Sequence, residues 1–275
     1  MSETAEPVVS VITCVRNGAQ FVEDTIVSVL AQRDVTLDYQ IIDGASTDGT
    51  VDIVRRYADR LSGWISEPDR GIADAFNKGI DRARGDYLMF LNSDDALAHP
   101  RALADLLEFA HSKNWPDVVY GDCDLYDRGT GALLYRTIID YDRARFLRAE
   151  TVPHPSMLMH RRYFETYGRF DLSFEVAMDY ELFVRGIPSV GAAHADLLTT
   201  NVRAGGISAR SRGLAVREIV RALQKHGHLG PMAELRMRAM FFARGMARRG
   251  LENLGLYAAF DSLRRRQKTV SGAQS

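Results

Sequence analysis

Cysteine is scarce in this chain: Cys14 and Cys123 are the two present among 275 residues. Both lie in or beside apolar, strand-like segments, so neither a disulfide framework nor a zinc-ligand spacing is available. They read as small buried residues of a reducing compartment. An excess of one charge sign is lacking too. The formal net charge of −1 gives no global attraction to nucleic acid or to an acidic polymer, and any electrostatic effect must be regional. No uninterrupted apolar run approaches the ~18 residues needed to cross a bilayer. The first seven residues are acidic and polar, unlike the basic and then apolar start of a secretory signal, so a cytoplasmic location is expected. Two nucleotide signatures are missing as well. No GxGxxG follows the first strand-like segment and no GxxxxGK(S/T) occurs, which disfavours nicotinamide dehydrogenases and P-loop enzymes.

What is present is 46 % apolar residues, enough for an extensive core, in short apolar runs that alternate with helical spacing. Residues 8–13 read as a buried strand, Arg16, Asn17 and Gly18 as a turn, and Phe21, Ile26, Val29 and Leu30 as a helical face. The rhythm repeats with residues 39–42 before Val51, Val54 and Tyr57, with 64–66 before a helix over 72–83, and with the run at 88–91 before a helix over 102–112. Such alternation is the pattern of βαβ units, which cross right-handedly and gather one class of loop on one sheet edge. After a strand at 118–120 the pattern changes: 133–139 is strand material behind Gly129 and Gly131, and a helix follows over 178–185. A last strand is expected over 192–200, with a glycine-rich loop at 205–208. The expected fold class is α/β, a single Rossmann-like sheet, mostly parallel but mixed, flanked by helices. That domain is expected over residues 1–210, with a C-terminal helical extension over 211–275.

The sharpest feature is the string LMFLNSDD at 88–95, where an apolar run stops at two adjacent carboxylates. A strand buried on both faces belongs to a parallel sheet, whose carboxyl edge binds ligands. Two Asp there form a hard-oxygen site for Mg²⁺ or Mn²⁺ carrying a phosphorylated substrate. The competing reading is an Asx-turn and helix N-cap. Three further stretches, 43–50, 67–71 and 121–124, also place acids or glycine-rich turns just after strands. Converging on one edge with Arg70, they make a cleft suited to a nucleoside diphosphate.

In order and spacing these segments resemble the inverting family 2 glycosyltransferases, which have the GT-A fold. The resemblance runs from about residue 8 to about 208. It rests on SVIT with Arg16 and Asn17, on IIDGASTDGT at 41–50, on Asp69, Arg70 and Gly71 with AFNKG at 75–79, on ARGDY at 83–87, on FLNSDD at 90–95, and on MDYEL at 178–182. It is similar in flavour to the bacterial branch that decorates surface polysaccharides and glycolipids. It implies Asp43 as the strand-end acid near base and ribose, with Thr13 and Arg16 on the same nucleotide, and Asp69 as a second base-side acid. Asn77 and Lys78 would line the donor. Asp94 would hold a divalent metal, Mn²⁺ or Mg²⁺, with Asp95 contacting sugar or metal, and Asp179 would be the general base. This sequence departs from the pattern at Asn92, which stands where the family has the first Asp of its DXD motif. An inverting transfer needs such a base opposite the leaving group and such a metal at the diphosphate. Taken alone, Asp179 is equally a first-turn acid that complements the helix dipole by roughly 0.3–1 kcal/mol.

Weaker candidates are His154, held between two prolines and facing acceptor or diphosphate, and a lid at 205–208 with Arg203 or Arg210 reaching phosphate and Ser208 in the loop. His194 is read as structural. Over 234–268 there are nine Arg or Lys against three Asp or Glu, interleaved with apolar residues. This suits peripheral contact with the inner face of the cell membrane, or a packed helical pair with a solvated basic face. No nucleic acid is expected as a partner. The expected function is transfer of a sugar from a nucleoside-diphosphate sugar to a hydroxyl of a lipid-linked saccharide or glycolipid acceptor. Two alternatives stay open: a sugar nucleotidyltransferase, and a catalytically silent nucleotide-sugar-binding subunit.

Overall fold

Eight residues, VVSVITCV, make the first strand β1 (Val8–Val15), and their β-branched content suits a pleated, enclosed position. In this computed structural model β1 is flanked in parallel by β2 (Thr36–Asp43) and β4 (Tyr87–Phe90), and β3 (Gly63–Ser66) lies parallel beyond β2. The structure describes residues 8–149, 152–206 and 211–230, with isolated helical positions at 239, 243 and 246. Ser208, Arg210 and the basic segment 234–268, apart from those three positions, lie outside the described residues.

The second half is mixed, as the change of rhythm implies. β8 (Met157–His160) runs antiparallel to both β4 and β6 (Val118–Tyr126). β9 (Ala193–Arg203) is parallel to β6, and β7 (Leu133–Thr137) folds back on β6 as a hairpin. A two-residue strand β5 (Ala96–Leu97), absent from the sequence expectation, pairs with β9 immediately after the acid pair. Among the described residues nine strands form one sheet in the order β3-β2-β1-β4-β8-β6-β9-β5, with β7 beside β6.

Helices α1 (Val22–Leu30), α2 (Thr50–Arg56), α3 (Ile72–Arg82) and α4 (Ala102–Ser112) are the crossovers of the parallel half. Later helices are α5 (Arg143–Phe146), α6 (Arg161–Tyr167), α7 (Met178–Val190) and α8 (Arg212–Lys225). Side chains alternate across β1: Val9, Val11 and Val15 join Tyr39, Ile41, Met89, Leu91 and the apolar faces of α1 and α4 in one buried cluster. On the opposite face Ile12 lies against Gly79 of α3, and Phe76 of α3 meets Phe90 edge-on at 4.9 Å. Both faces are covered, which is why these strands read as nearly continuous apolar runs.

Contacts divide the chain into two units, residues 1–222 and 223–275. Of the second, residues 223–230 are described apart from the isolated positions. There the end of α8 is closed by the Gly227 amide donating to the Gln224 carbonyl, with Gly227 at φ 72°.

A buried polar joint registers the parallel strands. Ser10 Oγ donates to Asp38 Oδ2 at 2.6 Å and accepts from the Gly85 amide at 2.8 Å, while Arg84 N and Gln40 Nε2 donate to the same Asp38 carboxylate. Buried polar groups hold their place only when so satisfied. Gly85 is required here because a Cβ would lie 2.5 Å from Ser10 N and 2.6 Å from Val8 O, both backbone atoms. Gly85→Ala is expected to lower stability by at least ~1–3 kcal/mol, the usual cost of overpacking. A thermal midpoint equal to that of the wild type would contradict this packing.

Candidate active site

The parallel strands deliver their following loops to one edge, and cross-bonds between loops shape it. Asn17, at φ 51°, ends the turn after β1 and accepts from the Thr47 amide at 2.9 Å, while its own amide donates to Ser46 Oγ. Thr50 Oγ1 accepts from Gly18 N, and Asp48 accepts from Ala19 N. The Thr50 hydroxyl, first among its partners, holds the Asp48 carboxyl below the usual carboxylate range. The turn-rich stretch 46–50 is therefore a clasp on the β1–α1 loop.

Inside that clasp, Asp43 is fully buried at the end of β2. Its Oδ2 accepts from Ser66 Oγ at 2.6 Å and from Ser46 N at 3.0 Å, whereas its Oδ1 is buried with no partner. Asp69 leans over the next residue so closely that a Cβ on Gly44 would lie 2.1 Å from Asp69 Oδ2 and 3.4 Å from Arg16 Cβ. Arg16, Asp43 and Asp69 thus form one wall. Thr13, Asn77 and Lys78 each bond within the protein. Thr13 is fully buried and accepts from the Tyr39 hydroxyl. Asn77 pairs its amide with both backbone polar groups of Phe170, and Lys78 pins the loop after β3 through Pro68 O and Glu67.

Past β4 the two acids separate in role. Asp95 is 2 % exposed: its Oδ2 accepts from Asn92 Nδ2 at 2.9 Å, its Oδ1 from Arg203 N at 3.2 Å, and its carbonyl from Thr25 Oγ1. Burial pushes its carboxyl up to about 6 against the lowering effect of Asn92 and Arg203. Asn92 is thereby explained, since an Asp at that position would set a second carboxylate against Asp95 where the amide now donates. Asp94 is the outer acid, its side chain 23 % exposed and bound by Arg128 from the β6–β7 hairpin. Arg203 donates to Asp94 O and to Asp24, and both guanidiniums lie over the Phe21 ring.

No group of three His, Cys, Asp or Glu that could hold a metal occurs among the described residues. The outer carboxylate of Asp94 is paired with Arg128, so a hard cation there would share or displace that ion pair; Mg²⁺ is commonly held by one or two carboxylates together with substrate phosphates and water.

Asp179 stands in the first turn of α7, 33 % exposed, with His154 Nδ1 at 3.7 Å from its Oδ2. His154 is packed among Phe76, Phe90, Phe170 and Phe183, and its buried Nε2 has no partner. Burial pushes its imidazole below the ordinary value, against the pull of Asp179. His194, by contrast, lies between Asp122 at 2.8 Å and Asp140 at 2.6 Å. Burial would lower its pKa, but those two carboxylates raise it overall.

Two residues of this region have no counterpart among the sequence expectations. Arg128 gives no local signal in its turn. Glu218 of α8 accepts from the amides of Glu175, Val176 and Ala177, immediately before α7. Its legible sign is a carboxylate four residues after Leu214 and four before Ala222 on a helix, a spacing that usually carries apolar residues.

Residues 10–168 match the family model described as glycosyl transferase family 2. The chain belongs to that family. This glycosyltransferase is 31 % identical over 184 residues to a PGL/p-HBAD biosynthesis glycosyltransferase of Mycobacterium tuberculosis, covering 66 % of this chain and 70 % of the relative. It is 43 % identical over 93 residues to the putative teichuronic acid biosynthesis glycosyltransferase TuaG of Bacillus subtilis, covering 33 % and 37 %. Among solved structures, S. aureus TarS 1-349 in complex with UDP-GlcNAc matches with TM-score 0.64 and 17 % identity over 87 % of this chain and 73 % of that one. A longer TarS chain is covered to 43 %. The mannosyltransferase PcManGT from Pyrobaculum calidifontis, in complex with GDP-Man and Mn2+, matches with TM-score 0.61 and 21 % identity over 99 % and 77 %. These likenesses establish the GT-A fold of the family 2 glycosyltransferase. The family-model match ends before Asp179.

Because burial keeps His154 neutral, the folded protein binds fewer protons there than the unfolded chain, whose imidazole titrates near 6.5. Stability is therefore lost as pH falls through that value. His154→Gln is expected to flatten the acid side of the thermal-midpoint curve, and curves parallel to the wild type between pH 5 and 7 would rule out neutral burial.

Proposed function

We propose that this glycosyltransferase inverts the anomeric centre of a nucleoside-diphosphate sugar, passing the sugar to a hydroxyl of a glycan or glycolipid acceptor in bacterial envelope synthesis. The observation that carries the reading is Asp43 Oδ1, a buried carboxylate oxygen without a partner at the end of a parallel strand, beside Asp69 and Arg16. Leaving such an oxygen unsatisfied costs about 1–3 kcal/mol, and an N–H or O–H of a base or ribose relieves that cost. The donor complexes of TarS and PcManGT support a sugar nucleotide as the ligand. The names of the mycobacterial and Bacillus relatives support an acceptor of the cell envelope.

In this scheme Asp179 takes the proton of the acceptor hydroxyl while that oxygen attacks the anomeric carbon. The bond from that carbon to the diphosphate breaks on the opposite side, and the nucleoside diphosphate leaves with the electron pair. Arg128 and Arg203, stacked on Phe21 beside Asp94, lie next to the acid assigned to the diphosphate and add positive charge there. Asp94 would hold a divalent Mg²⁺ or Mn²⁺, which offsets charge on the departing diphosphate. Asp95, turned inward, supports the turn that presents Asp94. His154 borders the base on its enclosed side.

Calorimetry with a panel of UDP-, GDP- and dTDP-sugars plus Mn²⁺, followed by assay of nucleoside diphosphate release, tests the reading directly. Absence of binding and release for the whole panel would sink it. Asp179→Asn is expected to bind the selected donor as the wild type does and to lose about 10²–10⁴-fold in turnover, the usual share of a general base. Retained turnover would remove Asp179 from that role. Gly44→Ala is expected to displace Asp69 and weaken nucleotide binding by about 1.5–3 kcal/mol, the range for a hydrogen bond to a charged group. A donor affinity equal to the wild type would detach Asp69 from the nucleotide.

A further inference from the structure

We infer that Glu218, on α8, is a positioning residue for the catalytic carboxylate of Asp179; this rests on the assignment of Asp179 as the base. The segment that delivers Asp179 has little regular structure of its own. Between the end of α6 and the start of α7 the backbone runs through turns and bends, and Ala177, the N-cap of α7, makes no side-chain cap bond. Its amides are answered from a distance instead. Glu218 Oε1 accepts from Glu175 N at 2.9 Å, and Oε2 accepts from Val176 N at 2.9 Å and from Ala177 N at 2.8 Å. A carboxylate has about four acceptor sites, so three converging amides nearly fill it. The residue is 4 % exposed, which makes this a buried, charge-assisted cap.

Two further contacts fix the same segment. One turn further along α8, Arg221 stacks on Phe174 at 3.8 Å and donates to Ser173 O at 2.5 Å. At the other end Asn77 of α3 pairs with Phe170. The stretch 170–177 is thus held by α3 at its start and by α8 at its end, and Asp179 follows two residues after the last clamped amide. A base that must meet both an acceptor hydroxyl and the face of the sugar opposite the leaving group tolerates little displacement. A shift of about 1 Å in such a group costs on the order of 100-fold in rate.

Isosteric Glu218→Gln keeps one acceptor oxygen but turns an NH2 donor toward backbone amides that also donate. Glu218→Asp keeps the charge but draws it back by one methylene. The test uses the full chain, with release of UDP or GDP from the sugar nucleotide selected by the panel, donor affinity by calorimetry, and amide hydrogen exchange at residues 175–177. Glu218→Gln is expected to exchange faster at those amides and to lose about 10- to 100-fold in kcat, with donor Kd within about twofold of wild type, since the donor wall is built at the ends of β1, β2 and β3 instead. Glu218→Asp should fall between the two. Wild-type kcat in both variants despite faster exchange would overturn the inference, as would parallel losses of kcat, donor affinity and thermal midpoint in both, the mark of a purely structural cap. A wild-type protein that neither binds nor cleaves any sugar nucleotide would instead refute the glycosyl-transfer reading itself.

Discussion

The buried carboxylate of Asp95 joins what the strand order keeps apart. β4 and β9 are separated in the sheet by β8 and β6, yet the Asp95 side chain accepts from the backbone of Arg203 at the end of β9 and from Asn92 beside it. Its carbonyl takes the Thr25 hydroxyl of α1. Removing one donor from such a buried carboxylate costs about 1–3 kcal/mol, because an oxygen is left unsatisfied. The curl of the sheet and the presentation of Asp94 both depend on this knot. With β5 zipped to β9 directly after it, the parallel and mixed halves close on one edge.

The rest of the site follows the same device, in which carboxylates are held by backbone amides or hydroxyls. Asp43 is held by Ser46 and Ser66, and its buried Oδ1 has no partner. Asp48 closes the loop clasp, with Oδ2 taking the Ala19 amide and Oδ1 the Thr50 amide and hydroxyl. Glu218 ties down the segment that carries Asp179.

Much of the parallel half was legible in the chain. The runs at 8–13, 39–42, 64–66 and 88–91 fall on β1 to β4, since a strand covered on both faces must be apolar at successive positions. The acids were legible as a group, but not individually. Asp94 and Asp95 are adjacent and chemically identical, and nothing local says that one points out while the other is sealed in. Asn92 looked like a weakened metal ligand and turns out to donate to Asp95. Asn77 and Lys78 carry polar side chains at a suggestive spacing, yet their bonds go to Phe170, Pro68 and Glu67. The strand β5 was missed because two residues make no periodic pattern.

By itself, the sequence determined the α/β alternation, the edge on which the loops gather, the family, and the identity of the acids available there. These are local properties, set by hydrophobic period, turn residues and motif order within a few dozen positions. Only the tertiary structure decided which acid is free and which is bound, because each decision rests on a partner far along the chain. Arg203 reaches Asp95 across 108 positions, Arg128 meets Asp94 across 34, and Glu218 caps Ala177 across 41. The donors that hold each carboxylate arrive only when distant strands and helices have packed.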